Sequence, residues 1–239
     1  MATRVFVYGD SLLKATEPDE NFHYHFHISE IIGKYVPKGI ELVNRAKMGA
    51  TVRKGKALVE HDLARGMDAK YAILDYGGND CDFNWSEVAE HPEAEHHCHT
   101  EMPVFLQTLR EITDSLRRRG VQPVLMTLPP VDGERYLNCI CREGLDKSRI
   151  LRWLGDASTI DRYQEWYSDS VAKFARQEHL PLIPAREAFL ADKGFGKLIA
   201  ADGIHLNSGG YHRFYSTISN WMQKNLGRKG KQSRELCME

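Results

Sequence analysis

The sequence predicts an α/β fold, with a parallel sheet of about five strands held between two layers of helices. Short apolar runs rich in β-branched and aromatic residues alternate with longer stretches of helical period. Those runs are continuously apolar instead of alternating with polar residues, which is the pattern of strands covered on both faces. No internal repeat and no Gly/Ser- or Pro-rich linker divides the chain. One domain over residues 1–226 is therefore expected, followed by a polar, Gly-containing tail over 227–239 expected to be flexible.

The strand candidates are residues 4–8, 41–44, 71–76, 122–127 and 180–183. Between the third and fourth, Phe105, Leu109, Ile112 and Leu116 recur at spacings of 4, 3 and 4, and Gly120 stands ready to end that helix. Ile160, Tyr163, Tyr167, Val171 and Phe174 keep a similar period after Ser158 and Asp161, a start signal of the capping-box kind. Near the end, Tyr211, Phe214, Ile218, Trp221 and Leu226 form a third stripe opening after Asn207 and Ser208, both good N-cap residues. Residues 129–158 are the longest stretch without a clear strand and directly follow the fourth one, a position where long excursions form lids or binding loops.

Composition excludes several classes. With 42% hydrophobic and 27% charged residues among 239, the chain is neither fibrous nor largely disordered. Thirty-two Lys and Arg against thirty-three Asp and Glu leave no field to gather nucleic acid or an anionic membrane surface. No apolar run approaches the ~20 residues of a membrane span, and only four consecutive apolar residues, Val5 to Tyr8, precede Gly9, too few for a signal peptide's apolar region. Five cysteines, odd in number and without CxxC spacing, fit a reduced chain and no structural zinc site. A cytoplasmic location is expected.

Chemistry-bearing residues follow the strand candidates. Gly9-Asp10-Ser11 comes directly after the first strand, where the carboxyl end of a parallel strand opens on the usual ligand crevice. Ser11 there is either a nucleophile or an N-cap for the next turn. Asp202-Gly203-Ile204-His205 precedes the last helix; a serine nucleophile needs a base and a group that fixes the base's tautomer, and a tight turn lets Asp202 and His205 be both. Asp-Gly is equally a turn dipeptide. Gly77-Gly78-Asn79-Asp80 after the third strand and Gly49 after the second offer an amide side chain and a close-approaching backbone N–H, the donors an oxyanion requires, or simple turn chemistry.

These four blocks, in this order and each on a loop leaving a predicted strand or preceding the last helix, resemble the SGNH hydrolase superfamily, also called GDSL esterases. The resemblance runs from Gly9 to His205, with alanine at position 46, where the family often has glycine. It implies a three-layer α/β/α domain with a flavodoxin-like parallel sheet. It also implies Ser11 as nucleophile, His205 as base and Asp202 as its partner, with the Ser11 and Gly49 amides and Asn79 as oxyanion donors. No Gly-x-Ser-x-Gly elbow and no phosphate-binding Gly-rich loop is present.

The expected reaction is hydrolysis of a carboxylic (acyl or O-acetyl) ester through an acyl-enzyme, without cofactor or metal. Lacking a strongly apolar lid pattern, the chain suits a small or polar ester. Thioesterase or lysophospholipase chemistry of the same superfamily, or a non-catalytic ligand-binding α/β domain, are the alternatives. Two histidine clusters, His23/His25/His27 and His91/His96/His97/His99, lack a zinc spacing and read as polar loop residues near the pocket. Asp82, Phe83 and Trp85 are candidates to line that pocket, or packing residues beside a glycine turn.

Overall fold

The computed structural model describes residues 2–226; the tail expected over 227–239 lies outside the described residues. The chain opens with β1 (Thr3–Gly9), a short hairpin of β2 (Thr16–Pro18) and β3 (Tyr24–Phe26), and α1 (Ile28–Tyr35). Next come β4 (Ile40–Asn44), α2 (Val52–Ala64), β5 (Tyr71–Asp75), α3 (Trp85–Glu90), α4 (Met102–Arg118) and β6 (Gln122–Met126). The remainder holds α5 (Gly133–Ile140), α6 (Lys147–Leu154), α7 (Ser158–Gln177), β7 (Leu182–Ile183), α8 (Ala185–Leu190) and α9 (Ser208–Leu226).

All five expected strands form one sheet in the order β4-β1-β5-β6-β7, and every pairing in it is parallel. This is the flavodoxin-like order. The chain runs outward from β1 to one side and then returns to the other, so the connections diverge beside β1 and leave a crevice at the carboxyl ends of β1 and β5.

Alternation along the strands fills two cores. Val5, Val7, Ile73, Val124 and Met126 meet Phe189 of α8 and Phe214 and Ile218 of α9 on one face. Tyr8, Leu74 and Leu125 meet Val59 of α2, Phe105 and Leu109 of α4, and Tyr167 and Val171 of α7 on the other. Full burial of each such side chain contributes roughly 1.5–3 kcal/mol, against about 0–1 kcal/mol for an exposed ion pair such as Arg152–Glu93. The two cores therefore hold the sheet, and with it the loops at its edge.

Local signals behave as expected in α4 and α9. Gly120 takes φ +73° just past α4, and the Asn207 side chain accepts the Gly210 N–H at 3.1 Å to cap α9. The capping box expected at Ser158 does not form. The Ser158 N–H instead donates to Asp156 Oδ1 at 2.8 Å, and Asp161 Oδ1 accepts from Gly133 N at the start of α5. An aspartate two residues upstream closes a tighter turn than Ser158 can, and α5 offers Asp161 a free helix-terminal donor.

The excursion over 129–158 carries α5 and α6. Its side chains Tyr136, Leu137, Ile150 and Leu154 pack with Phe83, Trp85 and Val88 into a third apolar cluster.

Candidate active site

The turn after β1 is tight because Gly9 lies flat against β5: a Cβ there would stand 2.8 Å from the Asp75 carbonyl oxygen and 2.6 Å from Leu13 Cδ1. Asp10 Oδ1 accepts the Leu12 N–H at 3.0 Å, which closes the turn and leaves Ser11 at its crest in a right-handed conformation, φ −63° and ψ −29°. Ser11 does not cap the short helical turn that follows. Its hydroxyl is turned to His205, with Oγ 2.8 Å from Nε2.

His205 reaches Ser11 because the Asp202–His205 loop is folded on itself. Asp202 Oδ1 accepts the Ile204 and His205 amides at 3.2 and 3.0 Å, while Oδ2 stands 2.6 Å from His205 Nδ1. Asp202 is fully buried and His205 nearly so. Burial alone would raise the Asp202 pKa, but the His205 hydrogen bond and charge and the two amides outweigh it and hold the carboxyl below its ordinary value. An ionised Asp202 accepts the Nδ1 proton, so Nε2 carries the lone pair that faces the serine hydroxyl.

The loop after β5 joins the same edge. Gly77 takes φ +134°, a backbone position that favours glycine. Asn79 Nδ2 donates to Asp10 Oδ2 at 2.8 Å, with a longer approach of 3.4 Å to the Ala50 carbonyl. Asp80 receives the Val52 N–H at the start of α2 on both oxygens, at 3.0 and 3.1 Å, and burial pushes its pKa up to about 6. Lys47 N donates to the Gly9 carbonyl at 3.0 Å. The loops after β1, β4 and β5 are thus cross-tied by side chains of the blocks themselves.

Gly49 lies within the loop after β4 with φ +66° but is exposed and does not line the cleft. Among the described residues, no acceptor within the protein takes the Gly49 or the Ser11 backbone N–H.

Beside Ser11 opens a cleft enclosing about 780 Å³, its mouth included, lined by Ser11, Asn79, His205 and a largely aromatic wall. Asp82, Phe83 and Trp85 line it, joined by Tyr136 and Leu154 from the excursion and Tyr163 from α7. Residues 129–158 therefore furnish a cleft wall, though as helices and not as a bare loop.

Neither histidine cluster reaches the cleft. His25 and His23 flank Asp19 at 3.1 and 3.5 Å on the hairpin's exposed side, their alternation being the period of a strand. In the second cluster His99 Nδ1 bonds the Asn79 carbonyl at 3.0 Å and His96 packs edge-on against Trp153. Among the described residues no group of three or more His, Cys, Asp or Glu is arranged to hold a metal ion.

Tyr24 carries no signal legible in the sequence. The β2–β3 hairpin carries its ring to 5.1 Å from the His205 ring, and burial with the nearby Asp202 charge pushes the phenol up to about 12. Phe22, two residues earlier, receives the Arg142 guanidinium at 3.6 Å, which fastens the hairpin to the segment after α5. A three-residue strand of alternating His and aromatics has too little period to be recognised without its partner strand.

The sequence pattern of the GDSL-like lipase/acylhydrolase family matches residues 7–213, a span that contains all four blocks. The chain belongs to this family. It is thereby a carboxylic ester hydrolase of the SGNH/GDSL type. Over 219 residues it is 20% identical to the isoamyl acetate-hydrolyzing esterase of Saccharomyces cerevisiae, covering 90% of this chain and 84% of the yeast protein. The fold is shared with a lipase/acylhydrolase from Enterococcus faecalis (TM-score 0.61, 17% identity, 93% of this chain and 96% of that one). It is also shared with a catalytic mutant of an acetylxylan esterase from Geobacillus stearothermophilus (TM-score 0.63, 17% identity, 93% and 95%). Among the described residues no helix is long and apolar enough to cross a membrane.

Proposed function

We propose that this family member is a serine esterase that hydrolyses small esters through an acyl-enzyme formed on Ser11. One observation carries the reading: the buried chain from Ser11 Oγ to His205 Nε2 at 2.8 Å and from Nδ1 to Asp202 Oδ2 at 2.6 Å. Both distances lie within hydrogen-bond reach, the requirement for a base that takes the serine proton and is itself oriented.

In the first step Ser11 Oγ attacks the carbonyl carbon while His205 Nε2 takes its proton. The carbonyl π pair moves onto oxygen, and the oxyanion is received by the Ser11 amide and Asn79 Nδ2, which border the cleft, with the Gly49 amide, outside the cleft lining, as the third donor the family resemblance implies. The two amides have no internal acceptor, and Asn79 keeps one amide hydrogen only loosely engaged at 3.4 Å, which supports this assignment. Collapse of the intermediate expels the alkoxide, which takes the proton from His205. Water then repeats the sequence on the acyl-enzyme, returning Ser11. Asp202 stays ionised, holds the Nδ1–H in place on the imidazole throughout and stabilises the imidazolium as it forms.

The acyl group is proposed to be short. Both the yeast relative and the Geobacillus esterase are named for acetyl esters, and the aromatic wall offers an apolar side to the remainder of the substrate. The test is labelling by a fluorophosphonate and turnover of a panel of acyl esters and acetylated sugars. Wild-type protein should label on Ser11 and turn over acetyl esters fastest. Ser11→Ala should lose both label and turnover with its fold intact, since Ser11 supports no core contact. Turnover near wild type in Ser11→Ala would remove the mechanism.

A further inference from the structure

The cleft holds one carboxyl group used neither by the catalytic chain nor by the turn after β1. Asp82 lines the cleft and remains only partly buried, with surface open to it. Its Oδ1 accepts the Trp85 indole N–H at 2.9 Å and its Oδ2 the Tyr136 hydroxyl at 2.6 Å. A carboxylate has about four acceptor sites, so these two side-chain donors and the Phe83 N–H, which also acts on it, leave part of its capacity open. Among the described residues no Lys or Arg lines the cleft, and His99, whose charge acts on Asp82, has its Nδ1 on the Asn79 carbonyl. Among the described residues Asp82 is thus a carboxylate among aromatic rings with no Lys or Arg beside it in the cleft, and burial raises its pKa.

The rings around it do not form a stack. Trp85 and Tyr136 stand at 78° with centroids 6.2 Å apart, and Phe83 and Tyr163 at 85° and 5.3 Å. They pack edge to face and together line the cleft as an aromatic box, and the negative face of an aromatic ring attracts an alkylammonium more strongly than a neutral alkyl group of the same shape. The Trp85 and Tyr136 hydrogen bonds hold both rings to the same carboxylate, so the charge and the box are one unit.

We propose that this aromatic box and Asp82 bind an ammonium group of the substrate, so that the preferred ester carries a quaternary or tertiary amine beside a short acyl group. The proposal rests on the esterase reading for the reaction but not for the binding. A purely structural role, with Asp82 serving only to clamp Trp85 and Tyr136, is the rival that the test separates.

The experiment is calorimetric titration of the wild-type protein with choline and with 3,3-dimethylbutan-1-ol, which has the same shape with carbon in place of the charged nitrogen. Choline should bind at least about tenfold more tightly, the margin a desolvated cation–π contact alone supplies. Asp82→Asn keeps an oxygen to accept from Tyr136 and leaves the rings in place, so it should lower the margin toward what the rings alone supply, with circular dichroism and thermal unfolding confirming its fold. Equal or weaker binding of choline, no choline binding at millimolar concentration, or an undiminished margin in folded Asp82→Asn each overturns the proposal. If Asp82→Asn does not fold, the wild-type ligand pair still decides. Neither ligand is an ester, so this result is independent of whether Ser11 is the nucleophile, which the labelling experiment decides.

Discussion

Replacing Gly203 by alanine should disable the site by moving it, without touching any reacting group. Gly203 takes φ +82°, and a Cβ there would lie 2.4 Å from Tyr136 N, 2.5 Å from the Asp132 carbonyl oxygen and 3.0 Å from Arg135 C. All three are main-chain atoms at the start of α5, so no rotamer change relieves the contact. The loop must retreat by about 1 Å to reach ordinary van der Waals separation. Asp202 and His205 sit one residue before and two after, and the same retreat strains the Asp132 N–H bond to the Gly203 carbonyl, 2.8 Å in the native loop. A 1 Å misplacement of catalytic groups costs on the order of 10²-fold, or about 3 kcal/mol of barrier. A left-handed alanine adds about 1–2 kcal/mol of strain and the overpacking about 1–3 kcal/mol, which at this size lowers Tm by roughly 5–15 °C. Initial rates on p-nitrophenyl acetate and a calorimetric melt measure both, the rates being taken well below the lowered Tm. A Gly203→Ala protein with wild-type kcat/KM would refute the claim that this glycine sets the position of His205.

Three further outcomes follow from the same geometry. Asn79→Ala should lower kcat by roughly 10²–10³ with a smaller change in KM, as loss of one oxyanion donor does; a variant that raises only KM would recast Asn79 as a binding residue. Asp80 has a folded pKa of about 6, raised by burial above its unfolded value near 3.8. It therefore favours the folded state below pH ~4, and that contribution, about 3 kcal/mol, is lost as pH rises through ~6. Asp80→Asn, whose oxygen can still accept from Val52 N, should gain stability relative to wild type across that window in urea unfolding; a pH-independent difference refutes the shift. Tyr24→Ala removes the ring over His205 from an exposed hairpin, so kcat/KM should fall by roughly 2- to 10-fold with Tm almost unchanged; a full-rate variant leaves Tyr24 without a part in the site.

Where the sequence was readable, short-range physics was in charge. The β-branched runs became the sheet because a strand covered on both faces needs no partner to announce itself, and the α4 stripe became a helix because its period lies in neighbouring turns. The misreading at Ser158 came from a rival two residues away, Asp156, and from α5 drawing off Asp161 across 28 residues of chain. Tyr24 was invisible because its significance is its distance from His205, 181 residues on.

The four blocks fixed which residue types stand at the carboxyl ends of the strands, since parallel crossovers return every strand in the same direction and so put every following loop on one edge. Whether Ser11 capped its own turn or faced the His205 ring could not be read there, because both arrangements need the same hydroxyl after the same strand. Tertiary structure decided it, by folding the Asp202–His205 loop against the start of α5 and delivering Nε2 to Ser11 across 194 residues. The cleft wall was likewise decided in three dimensions. Asp82 was legible as a neighbour of Asn79, but Tyr136 reaches it only because an excursion of 30 residues, 129–158, folds back as helices over the sheet edge. Chain order cannot encode that contact, since apolar burial rewards the closure of the wall without regard to how far apart its residues lie in sequence.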